Sequence, residues 1–457
     1  MKKVLLIFPK TGFDPIKPRM PSSYVYLGTV LKQLGYTPII VDERVEQDYK
    51  DKIKYHIKDS IAVGLTAMTG RQINYALSLA KFVREISNKK IIWGGIHASL
   101  LPEQTLQNKY VDIVIKGEGE FLLPKVIKMI ERGKKVPKIV SSNFIDLKDI
   151  PSPDWSLIDT AKYRVFDVQS SRGCPYRCTY CYNPIYNKRI WRPKPKEKLI
   201  KEIEDIKLGA KEINFIDDNF FTDIKRTEWI LKEIIRKKLK FTWRTNCRVS
   251  YFDKLGKPFL DLAYKAGLRE LQFGCESGSQ RILDLIKKDI TVSQIENAIN
   301  KVSKSGIQSQ CAFMIGFPFE TKEDNKKTFE LIDRLRKHPN VLINMISIFT
   351  PCPGSKLFEE SKKYGYIPPS TLESWGDYSY TNANVSWLTG KKKQIYESIT
   401  YISRFCFYNK QLKKKFITPK FIIPYYFLRT CALLRWKFKY FNHPWEFILF
   451  KKFVTRK

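Results

Sequence analysis

Cys174, Cys178 and Cys181 stand at the spacing C-x3-C-x2-C inside the stretch GCPYRCTYCYNP, which runs from Gly173 to Pro184. Thiolate is a soft donor that suits iron–sulfur clusters and zinc, and a compact loop bounded by glycine and proline turns three sulfurs toward one centre. Three cysteines on a four-iron cluster leave one iron without a protein ligand. Such an open position binds substrate or cofactor directly, as closed structural sites do not. The alternative is a zinc loop short of its fourth ligand. None of the four histidines, His56, His97, His338 and His443, stands close enough in sequence to complete it.

The loop needs a frame, and the surrounding pattern supplies one. From about 165 to 388, six apolar stretches alternate with helical ones: VFDVQSS, EINFIDDNF, FTWRTNCRVS, LRELQFGCESGS, QSQCAFMIGFP and NVLINMISIFTPCPGS. This predicts a partial (β/α)6 barrel with its site at the carboxyl ends of the strands. Residues 1–148 alternate in the same way, through VLLIF, TPIIVD, IAVGLT, KIIWGG and VDIVIKG, with helices expected near 22–34, 71–86 and 120–132. A doubly wound, Rossmann-like parallel sheet follows, with ligands at its strand ends. Its loops GLTAMTG, Gly94-Gly95 and GEGE offer close backbone approach at glycine and hydroxyls at Thr66 and Thr69. Glycines at strand ends also serve ordinary turns. Between the two units, DIPSPDWSLID opens a linker, 149–164, whose prolines favour an extended path.

At 457 residues with 43% hydrophobic content, the chain has room for two or three cored domains. Outside the loop, Cys247, Cys275, Cys311, Cys352, Cys406 and Cys431 are scattered singly and read as small buried hydrophobes rather than a disulfide framework. A reducing cytoplasm is the expected setting. The start, MKKVLLIFP, reads as a first strand, because Pro9 ends its apolar run and no small-residue cleavage site follows.

The cysteine loop, with aromatic Tyr180 before its last cysteine, resembles the signature of the radical S-adenosylmethionine (SAM) enzymes. That resemblance implies a 4Fe-4S cluster on Cys174, Cys178 and Cys181, chelation of SAM by the free iron, and reductive cleavage to a 5′-deoxyadenosyl radical that takes hydrogen from an unactivated carbon. It also implies SAM-binding positions. Asp217 and Asp218 end the second barrel strand near the methionine moiety, and Arg248 ends the third. Glu276 and Ser277 suit ribose hydroxyls or the methionine end, while Ile315 and Gly316, with Pro318, offer backbone to adenine. From the residues alone, the aspartates equally suit a helix N-cap, Glu276 an ion pair with Arg281, and GFPFET a turn.

The loops ahead of the barrel, in their order, resemble the cobalamin-binding domain of the cobalamin-dependent branch of that family, with Thr66, Met68, Thr69, Gly94 and Gly95 as cofactor contacts. The D-x-H-x-x-G motif that supplies a cobalt-ligating histidine elsewhere is absent, since the loop after the first strand reads PKTGFDPIKPRMPSS. Either cobalamin binds without a protein histidine on cobalt, or the domain has lost it. His97 follows the Gly pair and reads as an ordinary polar residue.

The chain carries 82 Lys plus Arg against 46 Asp plus Glu, a net +36. Such a field draws polyanions or an anionic membrane, or is simply solvated surface. The basic, aromatic segment 389–457 holds 17 Lys plus Arg and two Glu, all from Lys391 onward, with no apolar run long enough to span a bilayer. It is expected to be mainly helical and to serve as an interfacial membrane contact or a cap on the barrel. No nucleic-acid recognition module is visible, and no nucleic acid is expected.

The resulting expectation is a radical SAM enzyme, most simply a cobalamin-dependent C-methyltransferase acting on a small molecule or lipid. Its electron donor would be of the flavodoxin or ferredoxin kind. The same family implies radical cyclisation or rearrangement as an alternative. A non-catalytic cobalamin- or lipid-binding iron–sulfur protein is a third reading.

Overall fold

Strands buried on both faces read as continuous apolar runs, and the first strand shows why: Val4, Leu5, Leu6 and Ile7 are all fully buried. The computed structural model describes residues 2–449 except 13, 16, 142, 207–211, 345, 380–383, 408–421 and 447. Its N-terminal sheet comprises β1 (Lys3–Phe8), β2 (Thr37–Asp42), β3 (Ser60–Thr66), β4 (Lys90–Gly94), β5 (Ile113–Lys116) and β6 (Ile139–Ser141). They lie in the order β2-β1-β3-β4-β5-β6, and every pair is parallel. Strand order reverses between β1 and β3, which opens a crevice at their carboxyl ends. Helices Ser22–Gln33, Gln72–Ile86 and Leu122–Glu131 fall where the periodicity placed them.

The second sheet holds β7 (Phe166–Val168), then, after a two-residue hairpin pair β8 (Ser171–Arg172) and β9 (Arg192–Pro193), the strands β10 (Glu212–Phe215), β11 (Thr242–Cys247), β12 (Leu268–Glu276), β13 (Gln308–Ile315) and β14 (Val341–Ile343), with β15 (Ser347–Ile348) added on β13. Its order is β14-β13-β12-β11-β10-β7, all parallel, and β7 and β14 do not pair. The sheet is therefore an open barrel, as the alternation predicts. Local capping sets the helix starts on its outer side. Thr291 and Thr321 each close a capping box, and Asp223 accepts from the Arg226 amide.

One apolar core runs through both units, joining Leu5, Trp93 and Ala98 to Phe358 and Trp375. Polar contacts fix the same junction: Trp375 Nε1 donates to Gln104 Oε1 at 2.6 Å, and Gln104 Nε2 donates to Pro369 O at 2.9 Å. The connecting stretch is less extended than its prolines suggest. Asp154 and Asp159 cap single 3-10 turns at Trp155–Leu157 and Thr160–Lys162, because each carboxylate takes an amide two residues on.

The C-terminal segment is mainly helical, with helices Gly390–Cys406 and Ile422–Lys437 packed together. Residues 408–421 and 450–457, which hold much of its positive charge, lie outside the described residues. Among the described residues, no helix is long and apolar enough to cross a membrane.

Candidate functional site: two cavities on either side of the cysteine loop

Gly173 opens the cysteine loop at φ +85°, where a Cβ would stand 2.0 Å from Ile190 O, so glycine is required for the chain to turn there. The β8–β9 pair holds the loop's two flanks together, the Gly173 amide donates to Asp218 Oδ2 at 2.9 Å, and the Thr179 amide donates to Ile286 O at 2.9 Å. Anchored in this way, the loop presents Cys174, Cys178 and Cys181 to one cavity of about 290 Å³.

Charge surrounds the thiols. Arg248 Nη1 lies 3.5 Å from Cys178 Sγ, with its guanidinium 3.6 Å from the centre of the Tyr176 ring, and the Asn183 amide donates to Cys181 Sγ at 3.4 Å. Burial pushes the Cys174 and Cys181 thiols up, and the neighbouring Cys178 adds to the shift. Buried behind Tyr180 and Lys288, which line the cavity while it does not, Glu276 ends β12 in the left-handed region at φ 64°. Its Oε1 accepts from Lys288 Nζ at 2.8 Å and from Tyr180 OH at 2.8 Å. Lys288 is buried, and the adjacent Glu276 carboxylate raises its ammonium pKa against the burial that lowers it.

The second cavity, about 400 Å³, opens at the β1/β3 crevice. Gly64, Thr66, Gly94, Gly95, Gly117 and Gly119 form much of its wall. Gly95, at φ +89°, lets Thr66 approach, since a Cβ there would lie 2.3 Å from Thr66 Oγ1. At Gly94 and Gly117 a Cβ would meet nothing within 4 Å. One end is electrostatic: Arg172 Nη1 lies 3.0 Å from Glu118 Oε1, Arg172 Nη2 is 2.5 Å from Glu120 Oε1, and Arg192 also pairs with Glu118. The two cavities meet at Asp218, which lines both. The loop itself is the partition, with Cys181 facing one side and Tyr182 the other.

Several expected contacts turn elsewhere. Asp217 is fully engaged by the Ser170 amide at 2.7 Å and by the Ser170 and Ser171 hydroxyls at 2.5 Å, so it fastens β10 to the end of β7. Neither aspartate is the helix N-cap, a place Asp223 takes. Ser277 is fully buried against Thr328 Oγ1 at 3.0 Å and does not line the thiol cavity. Ile315 is fully buried, and Gly316 is covered by Leu388 and Tyr396 while its carbonyl accepts from Trp387 Nε1 at 2.9 Å, and neither lines the thiol cavity. Glu276 does not pair with Arg281, which binds Asp324 instead.

Met68 is exposed, and Thr69 Oγ1 lies 3.0 Å from His97 Nδ1, so neither lines the glycine-walled cavity. His97 itself is no loop residue. It is fully buried, its ring centre 5.6 Å from that of Trp375, and burial pushes its pKa down to about 4. No histidine lines the cavity. Sequence reading missed Lys288, a buried lysine that nothing local in the sequence distinguishes from the surface ones, and Cys247, which lines the thiol cavity from β11.

The Radical SAM superfamily model matches residues 168–332, and the B12 binding domain model matches residues 21–127. This chain belongs to the cobalamin-binding-domain radical SAM enzymes. Similar sequences include an uncharacterized methyltransferase of Pyrococcus horikoshii, 29% identical over 78% of this chain and 82% of that protein. The anaerobic magnesium-protoporphyrin IX monomethyl ester cyclase of Rubrivivax gelatinosus is 27% identical over 80% of this chain and 73% of its own. Among solved structures, the cobalamin-dependent SAM radical enzyme OxsB superposes with a TM-score of 0.72 at 18% identity, covering all of this chain and 75% of that one. The radical SAM methyltransferase TsrM of Kitasatospora setae gives 0.67 at 18% identity, covering 80% and 78%. These two likenesses speak to the fold.

The residues fit the cofactors of such a radical SAM enzyme. Among the described residues, no three His, Cys, Asp or Glu side chains close on a site for a single metal ion. The three thiols nonetheless share a cavity, and a cluster of four irons spaces its ligands more widely than one ion does. On the other side, the open space at Gly94 and Gly117 is the room a large planar ring needs, and its donors are backbone and hydroxyl rather than imidazole.

Proposed function

We propose that this radical SAM enzyme is a cobalamin-dependent C-methyltransferase, and that the shared wall at Asp218 and the cysteine loop is where its two cofactors face each other. The single observation that carries the reading is the placement of a three-thiol cavity and a glycine-walled cavity on opposite sides of one short loop. When bound, the cluster with SAM supplies a hydrogen-abstracting 5′-deoxyadenosyl radical, and cobalamin supplies the methyl group. The chain does the rest. Cys174, Cys178 and Cys181 bind the cluster, and Arg248 offsets negative charge at Cys178. In this reading Tyr180 and Lys288, on the cavity wall, orient SAM, and the buried Glu276 carboxylate holds both of them in place. Thr66 and the Gly94-Gly95 turn hold the corrin by shape and backbone. The proposed reductant is a flavodoxin- or ferredoxin-class protein, in a cytoplasm that keeps all nine cysteines reduced.

The test uses anaerobically reconstituted protein supplied with reductant, cobalamin and SAM. It quantifies 5′-deoxyadenosine and S-adenosylhomocysteine together. Both should form, and both should fall to background in Cys178→Ala. Cyclisation is a second reading, favoured by the similarity to the Rubrivivax cyclase. It predicts 5′-deoxyadenosine without S-adenosylhomocysteine. A fully loaded cluster that binds no SAM would leave only a non-catalytic iron–sulfur protein.

A further inference from the structure

The helix Ile422–Lys437 is apolar on two faces. One is used: Tyr425, Leu428, Ala432 and Trp436, at helical spacing, are buried, and Trp436 meets the rings of Phe407 at 4.9 Å and Phe329 at 5.2 Å. The opposite face holds Ile423, Phe427 and Leu434, with Phe438 just past the helix end, and these are 78%, 52%, 52% and 70% exposed. Beyond the helix, exposed Tyr440 and Trp445 join Leu434 and Phe438 around a groove of about 550 Å³, and exposed Ile448 and Leu449 follow. An apolar surface this continuous is a place of contact, because leaving it in water forgoes its burial free energy.

The charges around it indicate what covers it. Arg435 is spent on Glu446 inside the groove and Lys439 on Asp333, whereas Arg429 and Lys437 form no ion pair among the described residues. In sequence the helix is preceded by Lys410, Lys413, Lys414, Lys415 and Lys420 and followed by Lys451, Lys452, Arg456 and Lys457. A second copy of a chain at +36 would be repelled, while an anionic bilayer would be drawn. Sixteen residues make a helix of about 24 Å, shorter than the ~30 Å hydrocarbon core, so it lies in the plane of the surface rather than across it. Trp and Tyr beside exposed aliphatics suit the headgroup boundary, where one end of the ring is wet.

We propose that the outer face of Ile422–Lys437, with Tyr440 and Trp445, docks the enzyme onto an anionic lipid bilayer. This goes beyond the reaction assigned above and does not depend on it.

The full-length protein is sedimented with vesicles of phosphatidylcholine containing phosphatidylglycerol and with vesicles of phosphatidylcholine alone. Wild type should partition onto the anionic vesicles, less so at high salt. Leu434→Asp with Phe438→Asp changes only exposed side chains and should lower partitioning at least about tenfold at every salt concentration. Near-UV circular dichroism controls for folding. Arg429→Gln with Lys437→Gln keeps the apolar face and should weaken binding at low salt only. Three results overturn the proposal: Asp variants that partition like wild type, equal binding to neutral and anionic vesicles, or a solution dimer that the Asp pair dissolves while vesicle binding is nil.

Discussion

The two cavities beside the cysteine loop are walled by opposite means. The thiol cavity is lined by side chains that carry or accept charge: three cysteines, Arg248, Lys288 and Asp218. The N-terminal cavity is walled largely by glycine backbone and apolar side chains, with its ion pairs confined to the Arg172 end. In the proposed function, the first holds its ligands by coordination and electrostatics, and the second by shape. A domain that binds by shape has no need of the missing histidine motif, and the structure shows no histidine lining that cavity.

The difference predicts that each cavity breaks separately. The largest effect is expected at Cys178, buried beside Arg248. Cys178→Ala should abolish cluster loading and 5′-deoxyadenosine formation yet leave cobalamin retention, read by the corrin absorbance after gel filtration, within twofold of wild type. The reciprocal break is Gly94→Leu. A side chain there enters open space without strain, since Gly94 carries no positive φ and a Cβ meets nothing within 4 Å. Cobalamin retention should fall about a hundredfold or more, with the 4Fe-4S absorbance intact. Loss of both cofactors in either variant would show one coupled site instead of two.

A smaller effect tests the electrostatic side alone. Glu276→Gln keeps the shape and the Tyr180 contact but leaves Lys288 buried without a carboxylate. Unpaired burial costs about 3 kcal/mol in stability, and SAM affinity by equilibrium dialysis should weaken about tenfold while cobalamin is retained. Unchanged SAM affinity would remove Glu276 from the site.

What sequence disclosed followed from how local each signal is. Three ligands within eight residues, Cys174 to Cys181, declare themselves, and parallel strands buried on both faces declare themselves as apolar runs. Order along the chain also picked out loops that line the two cavities, at Thr66, Gly94, Gly95, Asp218 and Arg248. It did not say which of two adjacent residues faces the ligand. Asp217 and Asp218 point opposite ways, one into a serine network and one into both cavities, because side chains alternate where a strand ends. Ser277 and Gly316 line neither cavity for a different reason, since each is covered by a distant element, Thr328 or Trp387. Lys288 was illegible among 82 Lys plus Arg, since its pairing with Glu276, twelve residues back at the end of β12, depends on how the intervening helix folds the loop back.

The smallest effect concerns His97, the one histidine near the N-terminal cavity. Its ring lies behind the glycine turn, between Thr69 and Trp375, so binding by shape predicts that His97→Gln retains cobalamin with an unshifted corrin spectrum. Its titration should appear in stability instead. With the folded pKa near 4 and an unfolded value of 6.5, the unfolded chain binds the extra proton between those limits. The contribution of neutral His97 is therefore complete above pH 6.5 and is lost as pH falls toward 4. Between pH 7 and 4.5, wild type should lose roughly 2–3 kcal/mol more than His97→Gln, read from urea midpoints. Parallel pH profiles for the two proteins would mean that the junction opens enough to hydrate the ring. A shifted corrin spectrum in the variant would mean that the histidine reaches the cofactor after all, and the contrast between the two cavities would fail.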